Sequence, residues 1–192
     1  MQLGTLEPRK GIATLLAAHA SLLSRPGGAP DLVLAGRHGW GGRWLRAALD
    51  RHPDASRVHL PGYVSRAEAR DLLRHAEVAV LASEEEGFGL PLAEAIACGA
   101  ACVTTNAPAL LEVAGGAALH VASRDVPALA EALGRSLEPQ VQLALRTAAR
   151  EQAGALTWRR PLAAWQALLL EEVREQTGRA GLRMPGDASP RH

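Results

Sequence analysis

The chain has almost no lysine. Of its 21 basic residues other than histidine, all but Lys10 are arginines. This bias indicates the coding composition of the source genome, and it makes the one ammonium that persists, Lys10, a candidate for a specific role. Acidic and basic residues balance to a net charge of +1, so no overall field attracts nucleic acid or a membrane surface.

Long apolar runs and cysteines are also scarce. No stretch approaches the roughly 20 apolar residues that a membrane-spanning helix needs, and the N-terminus lacks the hydrophobic segment of a secretory signal. Cys98 and Cys102 flank an expected helix end in apolar surroundings, which favours packed thiols over a disulfide or a metal pair. The seven histidines show no metal-ligand spacing. We therefore expect no metal, no cofactor and a cytoplasmic location.

Apolar strand-like runs alternate with helical patterns, which predicts an α/β fold with a doubly wound, Rossmann-like parallel sheet. Ser65 and Glu68 form a capping box at one helix start. We expect residues 1–176 to form one domain and the polar segment 177–192 to be a disordered tail. The expected strands cover residues 1–4, 32–35, 58–60, 78–81, 101–104 and 118–121, and the expected helices cover 11–23, 42–51, 65–75, 90–98, 126–137, 140–152 and 158–175.

The most informative segment runs from Glu86 to Glu94 and reads Glu-Gly-Phe-Gly-Leu-Pro-Leu-Ala-Glu. It leaves the carboxyl end of a buried strand and enters a helix at Leu90. Gly87 and Gly89 lack a Cβ, so a ligand can approach the backbone closely. The helix start offers unpaired N–H groups and a positive dipole end to an anion. The segment predicts a site for phosphate and vicinal hydroxyls, with a solvated acidic corner as the alternative.

This segment resembles the E-x(7)-E motif of retaining GT-B glycosyltransferases. Glu86 matches the first glutamate and Glu94 the second, and the likeness continues through residues 95–103, where Cys102 replaces the usual proline. The resemblance implies that Glu94 holds ribose hydroxyls and that Glu86 contacts the donor sugar. It also implies that the sugar and diphosphate face the backbone of Gly87, Phe88, Gly89 and Leu90.

Residues 4–11 resemble a segment of GDP-mannose-type members in which two basic residues stabilise the departing diphosphate. Lys10 matches the lysine, Thr5 stands where many members carry arginine, and Arg9 is expected to take that arginine's role. Gly4 and Thr5 join the implied donor site. Two cations at a helix start can offset negative charge that develops on a phosphate. A helix start with solvated cations is the alternative reading.

Two further loops extend the resemblance. Residues 36–42 are similar to the family's loop after the second strand, in which Arg37 can contact phosphate. Tyr63 and Val64 match a segment whose backbone receives the nucleotide base. The alternative for residues 36–42 is a plain turn without a ligand. The alternative for Tyr63 and Val64 is the end of a strand with a half-buried tyrosine.

The resemblance covers roughly residues 3–165 and matches only the C-terminal of the family's two domains. It implies a donor-binding half that transfers a hexosyl group from a nucleoside diphosphate sugar with retention, without a metal. An N-terminal acceptor domain would then act in cis or in trans. The alternatives are a non-catalytic nucleotide-sugar-binding module, a subunit of a split enzyme, and an epimerase-like enzyme.

The expected partners follow from the same reading. They are a nucleotide-sugar and the acceptor domain, and the surface that would meet that domain favours self-association. Nucleic acid and an integral membrane segment are not expected, while a peripheral place at the inner membrane stays open.

Overall fold

The computed structural model describes residues 1–25, 27–39, 43–157 and 159–179. Within them, strands and helices alternate along the chain. The strands are β1 (Gln2–Leu3), β2 (Leu32–Ala35), β3 (Val58–Gly62), β4 (Ala79–Leu81), β5 (Cys102–Thr105) and β6 (Ala118–Val121). The helices are α1 (Ile12–Leu23), α2 (Arg43–Asp50), α3 (Arg66–His75), α4 (Leu90–Ala97), α5 (Pro108–Ala114), α6 (Val126–Ser136), α7 (Pro139–Ala153) and α8 (Arg159–Arg179).

All strand pairs are parallel, in two sets with the orders β1-β2-β3 and β4-β5-β6. Met1 joins the two sets. Its backbone oxygen accepts from the Val80 N–H at 2.8 Å, and its amino group donates to the Val78 oxygen at 2.6 Å. The order across the whole sheet is therefore β3-β2-β1-β4-β5-β6. Strand order reverses between β1 and β4, so the carboxyl ends of these strands border the crevice where such folds bind ligands.

Helices cover both faces of the sheet. Val80 packs in one core cluster with residues of α1 and α6, whereas its neighbours Ala79 and Leu81 pack in a second cluster with residues of α4 and α5. Strands buried on both faces read as continuous apolar runs, which is why the sequence showed them so clearly. Each fully buried aliphatic side chain, such as Val103, contributes about 1.5–3 kcal/mol. The predicted doubly wound α/β fold is confirmed.

The predicted elements differ from the observed ones mainly at their ends. The strands at 32–35 and 118–121 and the capping box of Ser65 and Glu68 are confirmed. Helix α5 is absent from the prediction because its seven residues, Pro-Ala-Leu-Leu-Glu-Val-Ala, are too few and too apolar to show a helical period. Two short 3-10 turns, Pro8–Lys10 and Ala55–Arg57, are likewise absent from it.

Residues Met1–Leu156 form one compact unit, and α8 belongs to a second segment, Thr157–His192. Helix α8 continues to Arg179, so residues 177–179 of the expected tail are helical. A single glycine costs a helix roughly 1 kcal/mol, and Gly178 does not end α8. Trp158 and residues 180–192 lie outside the described residues. None of the described helices is long and apolar enough to cross a membrane.

Candidate functional site

Loops that follow β1, β2 and β4 meet at the carboxyl edge of the sheet. The Leu6 N–H donates to the Arg37 oxygen at 2.9 Å, and the Gly39 N–H donates to the Leu6 oxygen at 3.1 Å, which fixes the first loop to the second. The Glu84 N–H donates to the Arg9 oxygen at 2.8 Å, which fixes the first loop to the third. The loops that carry Lys10, Arg37 and Glu86, which the sequence analysis identified as candidate site segments, therefore lie together.

Lys10 and Glu86 form an ion pair between the first and third loops. Lys10 Nζ lies 2.6 Å from Glu86 Oε1, and only 13% and 8% of the two side chains are exposed. Water screens such a pair less than it screens a surface pair, so the attraction between the charges is stronger. Gln2 holds the Lys10 backbone, because its Nε2 donates to the Lys10 oxygen at 3.1 Å. The structure thus brings together the predicted lysine and the predicted first glutamate.

A buried serine holds Glu86 from the other side. Ser83 Oγ donates to Glu86 Oε1 at 2.8 Å, and Thr105 Oγ1 donates to the Ser83 oxygen at 2.5 Å. Ser83 and Lys10 use the same oxygen, so Glu86 Oε2 is left for a further donor. Ser83 and Thr105 are not among the predicted site residues. The sequence did contain a signal for Ser83, because its hydroxyl directly follows an apolar strand. A hydroxyl that is buried there requires a hydrogen-bond partner.

The two glycines of the turn serve different purposes. Gly89 precedes α4 with a φ of 87°, and a Cβ there would lie 2.6 Å from Leu110 Cδ2. Both its backbone conformation and the core packing therefore require glycine. A Cβ at Gly87 would meet no atom within 4 Å. Open space for a ligand next to the backbone is found at Gly87, whereas Gly89 is needed by the fold.

The remaining residues of the turn are exposed. Phe88 and Leu90 are 53% and 55% exposed and present apolar surface beside the helix start. Glu94 is exposed on α4, about one turn after the helix begins. Among the described residues, no hydrogen bond or ion pair involves its carboxylate. The structure therefore brings Glu86 to Lys10, and it shows no contact between Glu86 and Glu94.

Arg9 points to a neighbour rather than to Glu86. Its Nε lies 2.9 Å from Glu7 Oε2, and half of its side chain is exposed, so the pair contributes little to stability. Thr5, beside it in the loop, is exposed. A cation absent from the prediction, Arg124, lies 2.5 Å from Glu84 Oε2. Its hydrogen bond and charge lower the pKa of Glu84.

The loop after β2 and the segment after β3 also meet. The Arg37 guanidinium lies 4.9 Å from the centre of the Tyr63 ring, a cation–π contact on an exposed surface. Gly4 faces the start of α4, since a Cβ there would lie 3.9 Å from Pro91 Cγ. Val64 lines a cavity together with Leu72 and Val78.

Cys102 is buried in the second core cluster, and Cys98 packs against that cluster. Both cysteines are free, as predicted, and burial raises the pKa of Cys102 to about 12 and also raises the pKa of Cys98. The described residues hold no cluster of histidine, cysteine, aspartate and glutamate that could bind a metal ion. Lys10, the nearby arginines and the start of α4 contribute positive charge at this edge.

Known proteins are similar to this chain in sequence and in fold. It is 33% identical over 159 residues to the O-antigen chain mannosyltransferase B of Escherichia coli, an alignment that covers 82% of this chain and 42% of that protein. The structure of sucrose-phosphate synthase from Thermosynechococcus elongatus superposes with a TM-score of 0.75 and 26% identity, over 91% of this chain and 46% of the other. Anabaena HepE in complex with UDP-glucose superposes with a TM-score of 0.72, over 91% of this chain and 48% of that one, and its 20% identity shows the fold alone.

The chain therefore spans less than half the length of each of these proteins. The family model described as "Glycosyl transferases group 1" matches residues 1–139. The parallel sheet with helices on both faces agrees with GT-B glycosyltransferase structures. On the family match and on this fold, the chain belongs to the group 1 glycosyl transferases.

Proposed function

We propose that this chain binds a nucleoside diphosphate hexose at the carboxyl edge and acts as the donor domain of a retaining hexosyltransferase. The observation that carries the proposal is the ion pair of Lys10 and Glu86, held by Ser83 beside the start of α4. A phosphate that enters this edge offers Lys10 a second anionic partner. Glu86 Oε2 then accepts from a hydroxyl of the sugar.

The proposed reaction requires positive charge at the place where the nucleoside diphosphate leaves. The negative charge that develops on its β-phosphate is stabilised by Lys10 and by the positive end of the helix dipole at the start of α4. Arg9 adds a second cation once it turns from Glu7. Because these donors belong to the chain itself, the proposed reaction needs no metal ion.

The other predicted residues take binding roles in the proposal. Glu94 accepts hydrogen bonds from the ribose diol, as its exposed position on α4 allows, and a charged acceptor makes such bonds short and strong. Arg37 and Tyr63 border the nucleotide on the opposite side of the edge, where the Val64 backbone meets the base. Gly4, Thr5 and the exposed turn at Phe88 complete the boundary of the donor site.

The sugar, the compartment and the missing half are also proposals. Likeness to a mannosyltransferase favours GDP-mannose, whereas the HepE structure contains UDP-glucose, so both donors are tested.

An acceptor domain, in cis or in trans, supplies the second substrate, because the chain spans less than half of its relatives. Free thiols fit a reducing compartment, so we propose the cytoplasm, including the membrane surface that faces it.

Calorimetry with UDP, GDP, UDP-glucose and GDP-mannose tests the binding site. One of these nucleotides should bind. Glu86→Gln should reduce the affinity for the sugar nucleotide more than the affinity for the free nucleoside diphosphate. Glu85→Gln is the matched control, because it removes the same charge from the neighbouring position in the loop. Equal effects of the two substitutions, or no binding of any nucleotide, would refute the proposed site.

A second candidate is a non-catalytic module that only binds the nucleotide sugar. The observation that favours it is that the chain spans less than half the length of its relatives. Hexosyl transfer to an acceptor, measured with and without an added acceptor-binding polypeptide, separates the two. Binding that never leads to turnover supports the module. Rapid turnover by this chain alone contradicts the need for an acceptor domain.

A further inference from the structure

Arg124 has a backbone conformation that arginine rarely adopts. Its φ is 62°, and in the part of the chain that the structure describes it is the only residue other than glycine with a positive φ. It lies in the turn between β6 and α6, which the Asp125 N–H closes on the Ala122 oxygen at 3.4 Å. Such a turn position favours glycine or asparagine, because a Cβ strains a left-handed backbone. An outlier of this kind is a reason to ask what its side chain does.

The guanidinium of Arg124 reaches across the edge of the sheet to Glu84. Its Nη2 lies 2.5 Å from Glu84 Oε2, and 75% and 27% of the two side chains are exposed. The loop after β6 therefore contacts the loop after β4, although β5 lies between these strands. The hydrogen bond and the opposite charge lower the pKa of Glu84 and raise the pKa of Arg124, so both stay charged. An exposed ion pair adds little stability, so the pair alone does not offset the strain of the turn.

Glu84 lies next to the ion pair of the candidate site. Its N–H donates to the Arg9 oxygen at 2.8 Å, which fixes its backbone beside the residue that precedes Lys10. It also stands two positions before Glu86, whose Oε1 lies 2.6 Å from Lys10 Nζ. A lysine ammonium on its flexible stem thus has two possible carboxylate partners in one loop. Arg124 occupies one of them.

This loop carries three glutamates in a row, Glu84, Glu85 and Glu86. Carboxylates so close together repel one another, and together they repel an anion that approaches the loop. Lys10 offsets the charge of Glu86, Arg124 offsets the charge of Glu84, and Glu85 is exposed to water. Without Arg124, a second unpaired carboxylate would compete for the ammonium of Lys10.

We propose that Arg124 is a positioning residue, which holds the Glu84 carboxylate so that Lys10 pairs with Glu86 alone. Arg124 itself does not contact the donor. Its strained turn directs the guanidinium to Glu84, which is the use of an arginine at a position that favours glycine. For the donor, the inference rests on the proposed function, because a fixed Lys10 and an offset charge at Glu84 favour the entry of a diphosphate at this edge.

The single lysine of the chain makes the arrangement directly observable. Because Lys10 has no lysine neighbours in the sequence, its side-chain ammonium gives one signal in NMR. Arg124→Gly and Arg124→Asn both remove the cation and suit the left-handed turn. Each should shift the Lys10 signal and speed its hydrogen exchange about threefold, because the ammonium then divides its time between two carboxylates. An unchanged signal in both variants would overturn the proposal.

Glu84→Gln decides whether the effect passes through the charge of Glu84. When it is combined with Arg124→Gly, the competing carboxylate is gone, so the Lys10 signal and its exchange should return to those of the wild type. Arg135→Ala, at the other end of α6, is the control for loss of one positive charge and should change neither. If the double variant still resembles Arg124→Gly, or if Arg135→Ala has the same effect, Arg124 does not act by holding Glu84.

Calorimetry with GDP and UDP separates this inference from the proposed function. Arg124→Gly should weaken binding of the diphosphate about threefold to tenfold, and the double variant should regain the wild-type affinity. An equal loss in both variants would mean that the guanidinium binds the nucleotide itself, which contradicts a positioning role. If the wild type binds neither nucleotide, the donor site is wrong, whereas the Lys10 signal still decides whether Arg124 sets the ion pair.

Discussion

Gly11 passes so close to Ala82 that a Cβ on Gly11 would lie 1.9 Å from the Ala82 backbone oxygen. Gly11 ends the 3-10 turn of Pro8–Lys10 and begins α1, while Ala82 follows β4 and precedes Ser83. The close approach therefore sets the distance between the loop that carries Lys10 and the loop that carries Glu86. The ion pair at the candidate site depends on a position with no side chain.

Gly11→Ala should destabilise the fold and disturb the site. Gly28→Ala is the matched control, because both glycines have a φ of +65° and a Cβ at Gly28 would meet no atom within 4 Å. The control carries only the backbone strain, about 1–2 kcal/mol, and Gly11→Ala should cost about 1–3 kcal/mol more. Urea unfolding measures both. Equal losses would mean that the backbone at Ala82 yields freely.

The sequence indicated the layout of the site because that layout follows from strand order and local motifs. Loops at the carboxyl ends of parallel strands lie at one edge, so Lys10 and Glu86 could be assigned to the same region. Their direct pairing could not be predicted. It joins residues 76 positions apart and depends on how closely β1 and β4 approach at Gly11.

Other details required the tertiary structure for the same reason. Arg124 reaches Glu84 from the segment after β6, a contact that no local pattern encodes. The requirement for glycine at Gly89 comes partly from Leu110, which belongs to the unpredicted helix α5. Sequence periodicity reports which residues are buried, and it does not report which buried surfaces meet.

Lys10→Ala should weaken the binding of nucleoside diphosphates far more than the binding of free nucleosides. The lost ammonium interacts with phosphate, and hydrogen bonds to charged groups contribute about 1.5–3 kcal/mol. Calorimetry with GDP and guanosine, or with UDP and uridine, gives the comparison. Arg66→Ala, at the start of α3, serves as the control for simple loss of positive charge. Similar losses for nucleoside and diphosphate would remove Lys10 from the phosphate site.

Glu94→Gln should weaken nucleotide binding by about 1–3 kcal/mol, because an amide oxygen accepts from a ribose diol less strongly than a carboxylate. The 2′,3′-dideoxy nucleotide should lose affinity for the wild type and should bind the variant and the wild type alike. Glu131→Gln, on the exposed face of α6, is the control for loss of one negative charge. Unchanged affinity in Glu94→Gln would exclude this residue from the donor site.

Stability should fall as the pH drops below about 6.5, because His19 is held neutral in the fold. The Asp54 N–H donates to His52 Nδ1 at 3.2 Å, so His52 Nε2 donates to His19 Nδ1 at 3.0 Å and His19 Nε2 donates to the Pro30 oxygen at 2.8 Å. Burial lowers the pKa of His19 from 6.5, and the nearby His52 and Arg57 lower it further, against opposing effects of the Pro30 oxygen and Asp31. The unfolded chain therefore binds a proton first as the pH falls, and the free energy of unfolding decreases.

Urea unfolding at pH 7.5 and 5.5 measures the decrease, on N-acetylated protein so that the Met1 amine does not contribute. His19→Gln should remove much of it, whereas His75→Gln, at an exposed helix end, should retain it. An equal pH dependence in His19→Gln and the wild type would show that another group is responsible.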